Sequence, residues 1–507
     1  MSSPAAHPSA NVATEAPKGS DTTPTNDDGI RKAPLPVQVR RPKQAVLIVH
    51  GMGEQRPMDT LRGFVRSIWE SNPAVAAEAD AGRAEVWSKP DPRTSSHELR
   101  RITTRAVESG SIRTDFYELY WADLTAGATW DQFTGWVRYL LFRRLRNVPV
   151  DVRPAWFCLW VITLLLVTIA LAAALPEAIW AKFAPWWLPR WIVVLAVASV
   201  GAIIARTATA NFGRVVRYTR ADPSNIATRA AVRERGLKLL ANLHASADYD
   251  RIVVVGHSLG TIVAYELISY FWSQNEAART VHLGTPEFEA LRAVEHCALL
   301  LSKHPPATTI HDYREKQAAL RRLLAARPQG EIVPENSPCV DGRWLISDFI
   351  SIGSPLTHAE FLLASSLSDL ARRKKERELP TAPPFREVLD VAAFRTAEEI
   401  GLVNSATTDG RAFSFPVASD LNAWRMHHGA AFAAVRWSNV YDPAKWIFFG
   451  DLISGPLAST LGNGIEDIDL RKVRGQSSAF SHSRYWERGG QRTQLERIRE
   501  AVNLFDK

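Results

Sequence analysis

The segment RIVVVGHSLGTIVAYEL, residues 251–267, carries the clearest signal in this chain. Its opening run is short, β-branched and uninterrupted, and therefore predicts a buried parallel strand. The residues after Gly260 place apolar side chains at helical spacing. Between strand and helix lies a G-x-S-x-G motif, and a sharp strand-to-helix turn is the context that a nucleophilic serine needs. The segment predicts Ser258 as a nucleophile, the alternative being a tight turn that only packs.

A second Gly-rich turn follows an earlier apolar run. The segment QAVLIVHGMGEQ, residues 44–55, predicts another buried strand that runs into a turn at Gly51. A phosphate-binding loop fits this turn poorly, because neither G-x-G-x-x-G nor G-x-x-x-x-G-K-[ST] can be completed from its glycines. A plain turn that ends the strand is the other alternative.

With these two motifs the chain resembles the α/β-hydrolase superfamily, and most of all its lipase-like branch. It is similar to uncharacterised bacterial membrane-associated members with an HGxGEQ start. The resemblance covers roughly residues 44–120 and 251–486. It implies an α/β fold, with a mostly parallel sheet and helices on both faces. It also implies an oxyanion hole formed by the backbone N–H groups of Met52 or its neighbour Gly51 and of Leu259.

The same resemblance sets the order of the other catalytic residues as serine, then acid, then histidine. Strand-like runs at 347–356, 433–441 and 465–473 extend the predicted sheet. His482 lies in a polar loop after the last run, where the general base belongs, and it would take the proton of Ser258. A surface histidine is the alternative.

The acid has two candidates. Related lipases place it in a turn after the penultimate strand, often in a Y-D-P-x-D-P pattern. This chain departs from the pattern, because seven residues separate Asp442-Pro443 from Asp451. Asp451 matches the second aspartate, which such enzymes use, and is preferred. Asp442 matches the first and is the alternative acid, although an aspartate before proline is also a common turn starter.

Two apolar runs predict a membrane hairpin. Residues 155–175 contain no charged side chain, and about 20 apolar residues cross a bilayer. A shorter run covers residues 191–205, and arginines cluster outside both runs rather than between them. The positive-inside rule then predicts a two-span hairpin with the hydrolase domain on the cytoplasmic side. A re-entrant hairpin and a buried helical pair are the alternatives.

The predicted domain organisation follows from these segments. Residues 1–42 are rich in Ala, Pro, Ser and Thr and predict a disordered tail. Residues 43–125 form the first part of the hydrolase domain, and residues 221–507 form the second part. Residues 126–220 form an insertion that contains an amphipathic helix, for which a core-packing helix is the alternative, and the membrane hairpin.

The composition of the chain limits the classes of partner and cofactor that it is expected to bind. The net charge is +8, and many of the basic residues cluster beside the apolar runs, where anionic lipid headgroups are a simpler partner than nucleic acid. No nucleic-acid motif is present. The three cysteines give no disulfide framework, and no cofactor or metal motif occurs. The pair His427-His428 is better explained as solvated or packed than as metal-ligating, and the run Arg372–Arg377 as a solvated helix or linker.

The sequence as a whole predicts a membrane-anchored serine hydrolase. Its expected substrate is a lipid or another acyl ester, cleaved through a Ser–His–Asp triad and an acyl-enzyme. Two alternatives are a non-catalytic membrane scaffold that keeps the fold and an acyltransferase that uses the same triad.

Overall fold

The computed structural model describes most of the chain from Pro42 to Phe505. The described ranges are 42–51, 56–76, 86–94, 98–105, 112–125, 153–174, 223–303, 307–327, 342–388, 410–444, 450–475, 481–486 and 492–505, with scattered residues at 96 and within 141–148, 176–199 and 218. The chain divides into two units, residues 1–40 and 41–507, and the first lies outside the described residues, as does nearly all of the predicted tail.

Thirteen strands occur in the described part of the chain. They are β1 Lys43–Val49, β2 Val86–Pro90, β3 Arg100–Thr104, β4 Arg113–Leu119, β5 Arg251–His257, β6 Thr280–His282, β7 Ile346–Ile352, β8 Glu387–Val388, β9 Arg411–Ala412, β10 Ser414–Val417, β11 Asp420–Met426, β12 Arg436–Tyr441 and β13 Ile465–Asp469.

Eight of these strands form the central sheet, in the order β13-β12-β7-β5-β1-β4-β3-β2. The pairs from β13 to β4 are all parallel, whereas β2 and β3 add an antiparallel edge. The predicted α/β class with a mostly parallel sheet is thus confirmed. Strands β10, β11 and β6 form a small antiparallel sheet, and β8 pairs with β9.

Helices with defined bounds occur throughout the described part of the chain, and one follows each of the strands β1, β5, β6, β7, β12 and β13. The helices are α1 Asp59–Val65, α2 Pro73–Ala76, α3 Arg153–Ala173, α4 Ile226–Ala245, α5 Gly260–Gln274, α6 Glu276–Arg279, α7 Pro286–Lys303, α8 Ala307–Ala325, α9 Ala359–Leu362, α10 Leu367–Lys375, α11 Ala458–Leu461, α12 Leu470–Arg474 and α13 Arg492–Val502.

The strand β1 is apolar from Ala45 to Val49 because both faces of the sheet are covered there. In β1, Leu47 and Val49 point into one core, which includes side chains of α4 and α5. Val46 and Ile48 point into a second core, which includes Leu61 of α1 and side chains of α13. Side chains alternate between the two faces along a strand, so a strand covered on both faces needs an uninterrupted apolar run.

The predicted run at 465–473 is corrected by the structure. The strand β13 ends at Asp469, and the helix α12 begins at Leu470. The Asp469 side chain accepts hydrogen bonds from the backbone N–H groups of Arg471 and Lys472, which is the arrangement of a helix N-cap. The other runs, at 347–356 and 433–441, contain β7 and β12.

The predicted insertion is described only in part. Residues 153–173 form α3, and residues 191–196 are also helical, whereas most of the predicted amphipathic helix and of the second apolar run lies outside the described residues. No helix among the described residues has the length and apolarity that crossing a bilayer requires. The predicted two-span hairpin is therefore without support from the structure.

Candidate active site

The parallel strands bring the candidate catalytic residues to one edge of the sheet. Ser258 follows β5 directly, Gly51 lies two residues after β1, and the loop after β12 carries Asp442 and Asp451. Because these strands are parallel members of one sheet, their carboxyl ends lie at the same edge, where open α/β sheets place their ligand sites.

The nucleophile turn is tight and held from two sides. Ser258 has a φ of +53°, a left-handed conformation that non-glycine residues adopt at a cost of roughly 1–2 kcal/mol. Its backbone N–H donates to the carbonyl of Ile352 at the end of β7, at 2.9 Å, and its own carbonyl accepts from the Thr261 hydroxyl at 2.7 Å. Such strain persists only where the surroundings enforce it, and it is concentrated at functional sites.

Gly260 allows the turn to pack against β1. A side chain at this position would overlap the main-chain oxygens of Val49 and His50. We expect Gly260→Ala to lower the free energy of unfolding by about 1–3 kcal/mol, the range for overpacked sites, and to reduce turnover of a soluble ester. Denaturant unfolding and initial rates measure the two effects.

The matched control is Gly63→Ala. Gly63 lies in α1, where an added Cβ would make an ordinary contact with the Trp486 indole at 3.5 Å. Alanine is favoured over glycine within a helix, so this variant should be at least as stable as the parent protein. Equal stability of the two variants would contradict the close packing of the turn.

His482 contacts both Ser258 and Asp451. It lies in the short 3₁₀ turn Ser481–Ser483, and its Nε2 is 2.8 Å from the Ser258 Oγ. Its Nδ1 is 2.9 Å from Oδ2 of Asp451. An ionised carboxylate only accepts hydrogen bonds, so the Nδ1 proton points to Asp451 and the Nε2 lone pair faces the serine hydroxyl. This is the arrangement in which a histidine can take the serine proton.

Asp451 is buried but ionised. Its side chain is 1% exposed, and Oδ1 accepts the backbone N–H of Ile453 at 2.9 Å. Burial alone raises the pKa of this carboxyl. The hydrogen bonds and charge of His482 and the Tyr485 hydroxyl outweigh burial and lower the pKa to about 2. The carboxylate is therefore ionised at neutral pH.

Asp442 makes a different contact. Its buried carboxylate is 2.5 Å from Nη2 of Arg474, a side chain that is itself 7% exposed. The two aspartates are nevertheless close in space, because the Asp451 N–H donates to the Asp442 carbonyl at 2.8 Å in a bridge that also includes Pro443. Asp442 is thus paired with Arg474, and Asp451 is the one that reaches His482.

The oxyanion candidates are described in part. Gly51 lies against the nucleophile, since a Cβ on it would be 2.8 Å from the Ser258 Cβ. Leu259 follows the serine and is the N-cap residue of α5, where backbone N–H groups lack acceptors within the helix. Met52 lies outside the described residues.

His50 holds the turn that contains Gly51. Its Nε2 accepts the backbone N–H of Trp121 at 3.1 Å, which leaves the proton on Nδ1, and Nδ1 donates to the Gly51 carbonyl at 2.8 Å. The indole of Trp121 stacks on the imidazole with 5.2 Å between the ring centroids and donates to the His50 carbonyl. The buried pair fixes the backbone beside the nucleophile.

Two site residues were missed by the sequence analysis. His257, inside the G-x-S-x-G motif, donates from Nε2 to the main-chain carbonyl of His482 at 3.0 Å. Burial, followed by the charge of His482, lowers the pKa of His257 to about 4, so its ring is neutral at physiological pH. Tyr485 donates to Oδ2 of Asp451 at 2.7 Å. Its position three residues after His482 was the available signal.

The His427-His428 pair and the charged run at 372–377 lie outside the candidate active site. The His427 ring is buried, with Nδ1 accepting from the Gly429 N–H and Nε2 facing the Phe385 carbonyl, so it is packed. In α10, Arg372 is paired with Asp369 and Glu376, as expected for a solvated helix. No group of three or more candidate metal ligands occurs among the residues that the structure describes.

Comparisons with family models, with curated proteins and with solved structures found no match for this chain. The chemical class of the site is therefore inferred from the contacts of its own residues. A serine hydroxyl, an imidazole and an ionised carboxylate are joined by two hydrogen bonds at the carboxyl edge of a mostly parallel sheet. This arrangement can activate the serine for attack on an acyl carbon.

Proposed function

We propose that this protein is a serine ester hydrolase of the α/β-hydrolase type. The observation that carries the proposal is the distance of 2.8 Å between the Ser258 Oγ and the His482 Nε2, with Asp451 bound to the opposite ring nitrogen. A serine that only packs at a turn does not require a correctly oriented imidazole and a buried carboxylate behind it.

The proposed reaction has two halves. His482 takes the proton as the Ser258 Oγ attacks the ester carbonyl, and the backbone N–H groups near Gly51 and Leu259 stabilise the oxyanion. His482 then protonates the leaving alcohol, which departs and leaves an acyl-serine. Water repeats the sequence, with His482 as base and then as acid, and releases the carboxylic acid and the free serine.

A panel of p-nitrophenyl acyl esters of increasing chain length tests the proposal. We expect Ser258-dependent release of nitrophenol and a chain-length preference that identifies the acyl class. Adding a primary alcohol and analysing the products separates hydrolysis from transfer, since an acyltransferase would form the new ester in preference to the acid. An absence of turnover on every ester would favour the scaffold alternative.

We also propose that α3 attaches the enzyme to a lipid bilayer, and that its substrate is a lipid or another membrane-partitioned ester. Large apolar side chains of α3, each 49% to 65% exposed, support this; they are Phe157, Val161, Ile162, Leu164, Leu165, Val167 and Leu171. At 3.6 residues per turn they cover more than half of the helix circumference. A helix that packs on a protein core needs only a stripe of about 100°.

The double substitution Val161→Glu/Leu165→Glu should release the protein from membranes. A charged residue in the centre of an inserted helix costs about 2.5–3.5 kcal/mol. We expect the variant to move to the soluble fraction and to lose most hydrolysis of a vesicle-embedded ester. Hydrolysis of a short soluble ester should be unchanged, because Ser258 and His482 lie outside α3. Vesicle flotation and the two rate assays provide the measurement.

The control for this variant is Leu300→Glu. Leu300 is another exposed apolar side chain, 42% exposed on α7, and its replacement should leave membrane binding intact. If the α3 variant stays bound to vesicles and hydrolyses embedded ester at the parental rate, the proposed attachment is wrong. On the same vesicles, an impermeant thiol reagent and a cysteine introduced beside Lys182 test the predicted two-span hairpin, in which that cysteine lies across the bilayer from the hydrolase domain. Labelling of this cysteine from the side of the bilayer that carries the hydrolase domain would contradict a two-span hairpin.

A further inference from the structure

Beyond the three proposed catalytic residues, the hydroxyl of Tyr485 also donates a hydrogen bond to the acid Asp451. We propose that Tyr485 is a positioning residue that sets the basicity of His482 through Asp451. The inference rests on the proposed function, because it concerns the same histidine.

Both donors share one oxygen of Asp451. The Tyr485 hydroxyl lies 2.7 Å from Oδ2, and the His482 Nδ1 lies 2.9 Å from the same atom. The phenol has a single proton, and it points to the carboxylate. The Ser454 hydroxyl, 2.8 Å from the phenol oxygen, must therefore be the donor in their mutual hydrogen bond. A directed chain runs from Ser454 through Tyr485 to Asp451.

The surroundings keep Tyr485 in place and protonated. The side chain is 1% exposed, and the Gln494 amide donates to its main-chain carbonyl at 2.6 Å. Burial, together with the nearby charge of Asp451, raises the pKa of the phenol well above its ordinary value. Tyr485 is thus a neutral hydrogen-bond donor over the whole pH range in which a serine hydrolase works.

A hydrogen-bond donor on Asp451 changes how strongly this carboxylate stabilises the protonated form of His482. A hydrogen bond to the ionised carboxylate neutralises part of its charge, so the carboxylate stabilises the imidazolium of His482 less. The same bond fixes the direction of the carboxylate. Loss of the phenol hydroxyl should therefore raise the pKa of His482 and also loosen its orientation toward Ser258.

Among the described residues, the ionisable side chains His257 and Asp442 do not supply this effect. His257 lies 5.5 Å away, centroid to centroid, and its lowered pKa keeps it neutral. The carboxylate of Asp442 is paired with Arg474. The hydrogen bond from Tyr485 to Asp451 therefore controls how strongly the Asp451 carboxylate stabilises protonated His482.

The test compares Tyr485→Phe with the parent protein. The ring remains, so packing is retained and only the hydroxyl is lost. The acid limb of the kcat/KM profile on a soluble ester reports the pKa of the free base. We expect this limb to move to higher pH by about half a unit and the plateau to fall about 10-fold, as for loss of one hydrogen bond to a charged group. Ser454→Ala should move the limb in the same direction by less.

The control is Tyr313→Phe. Tyr313 is also fully buried, and its hydroxyl donates to the Phe432 carbonyl at 2.8 Å. Its loss should lower the melting temperature and leave the acid limb where it is. A plateau that falls in Tyr485→Phe without any movement of the limb would mean that Tyr485 is merely structural, and would overturn the proposal.

An NMR titration of the His482 imidazole in both proteins provides a readout that does not need catalysis. The resonance is assigned by its disappearance in His482→Gln. A higher His482 pKa in Tyr485→Phe supports the inference even if no ester is turned over, in which case only the proposed function fails. An unchanged His482 pKa in a folded Tyr485→Phe protein contradicts the inference whatever the activity.

Discussion

Replacing Ser258 with alanine is expected to lower ester turnover by about 10⁶-fold, the loss seen when a hydrolase nucleophile is removed. The hydroxyl is the atom that His482 contacts at 2.8 Å, and without it no acyl-enzyme can form. Stability should hardly change, because alanine can adopt the same backbone angles and the Oγ is not part of the core. Initial rates on a soluble ester and a thermal melt measure both expectations.

Ser269→Ala is the matched control for this loss. Ser269 lies on α5, and its hydroxyl donates back to the Tyr265 carbonyl at 2.7 Å. Its replacement removes a serine hydroxyl from the same helix without touching the site, so turnover should be retained. Parental turnover in a folded Ser258→Ala protein would show that another residue performs the reaction.

Asp451→Asn is expected to lower kcat by about 10⁴-fold, as in serine proteases in which the triad aspartate becomes asparagine. The carboxylate accepts the Nδ1 proton of His482. An amide nitrogen can present a donor instead, which favours the tautomer with its proton on Nε2. That nitrogen can then no longer accept the proton of Ser258.

Asp442→Asn is the comparison variant for Asp451→Asn. Asp442→Asn breaks a buried ion pair with Arg474, so we expect the free energy of unfolding to fall by about 3–5 kcal/mol. Its effect on kcat, measured well below the melting temperature, should be far smaller than that of Asp451→Asn. If the order of the two kcat effects is reversed, Asp442 is the acid.

The parts of the fold that depend on local pattern could be predicted. The apolar run of β5, the turn at Ser258 and the helix α5 follow one another within a single segment, and the structure has all three. The run at 44–49 is β1 for the same reason. The antiparallel edge was not predicted, since β2 and β3 are short, half-buried and contain charged residues.

The choice of acid could not be made from pattern alone. Both aspartates follow β12, and their contacts separate their roles. Asp451 is bridged to Pro443 and reaches His482, whereas Asp442 pairs with Arg474. The bridge joins residues on either side of positions 444–450, and no local periodicity encodes it. The roles of His257 and Tyr485 depend in the same way on side chains that meet only in the folded protein.

Labelling of the folded wild-type protein with a fluorophosphonate tests the central claim most directly. The probe reacts with a serine only when a neighbouring base activates it. We predict one adduct in the tryptic peptide 252–279, located by fragmentation on Ser258 and absent from His482→Ala and from heat-denatured protein. No adduct on the folded protein, or an adduct on a different serine, would contradict the account.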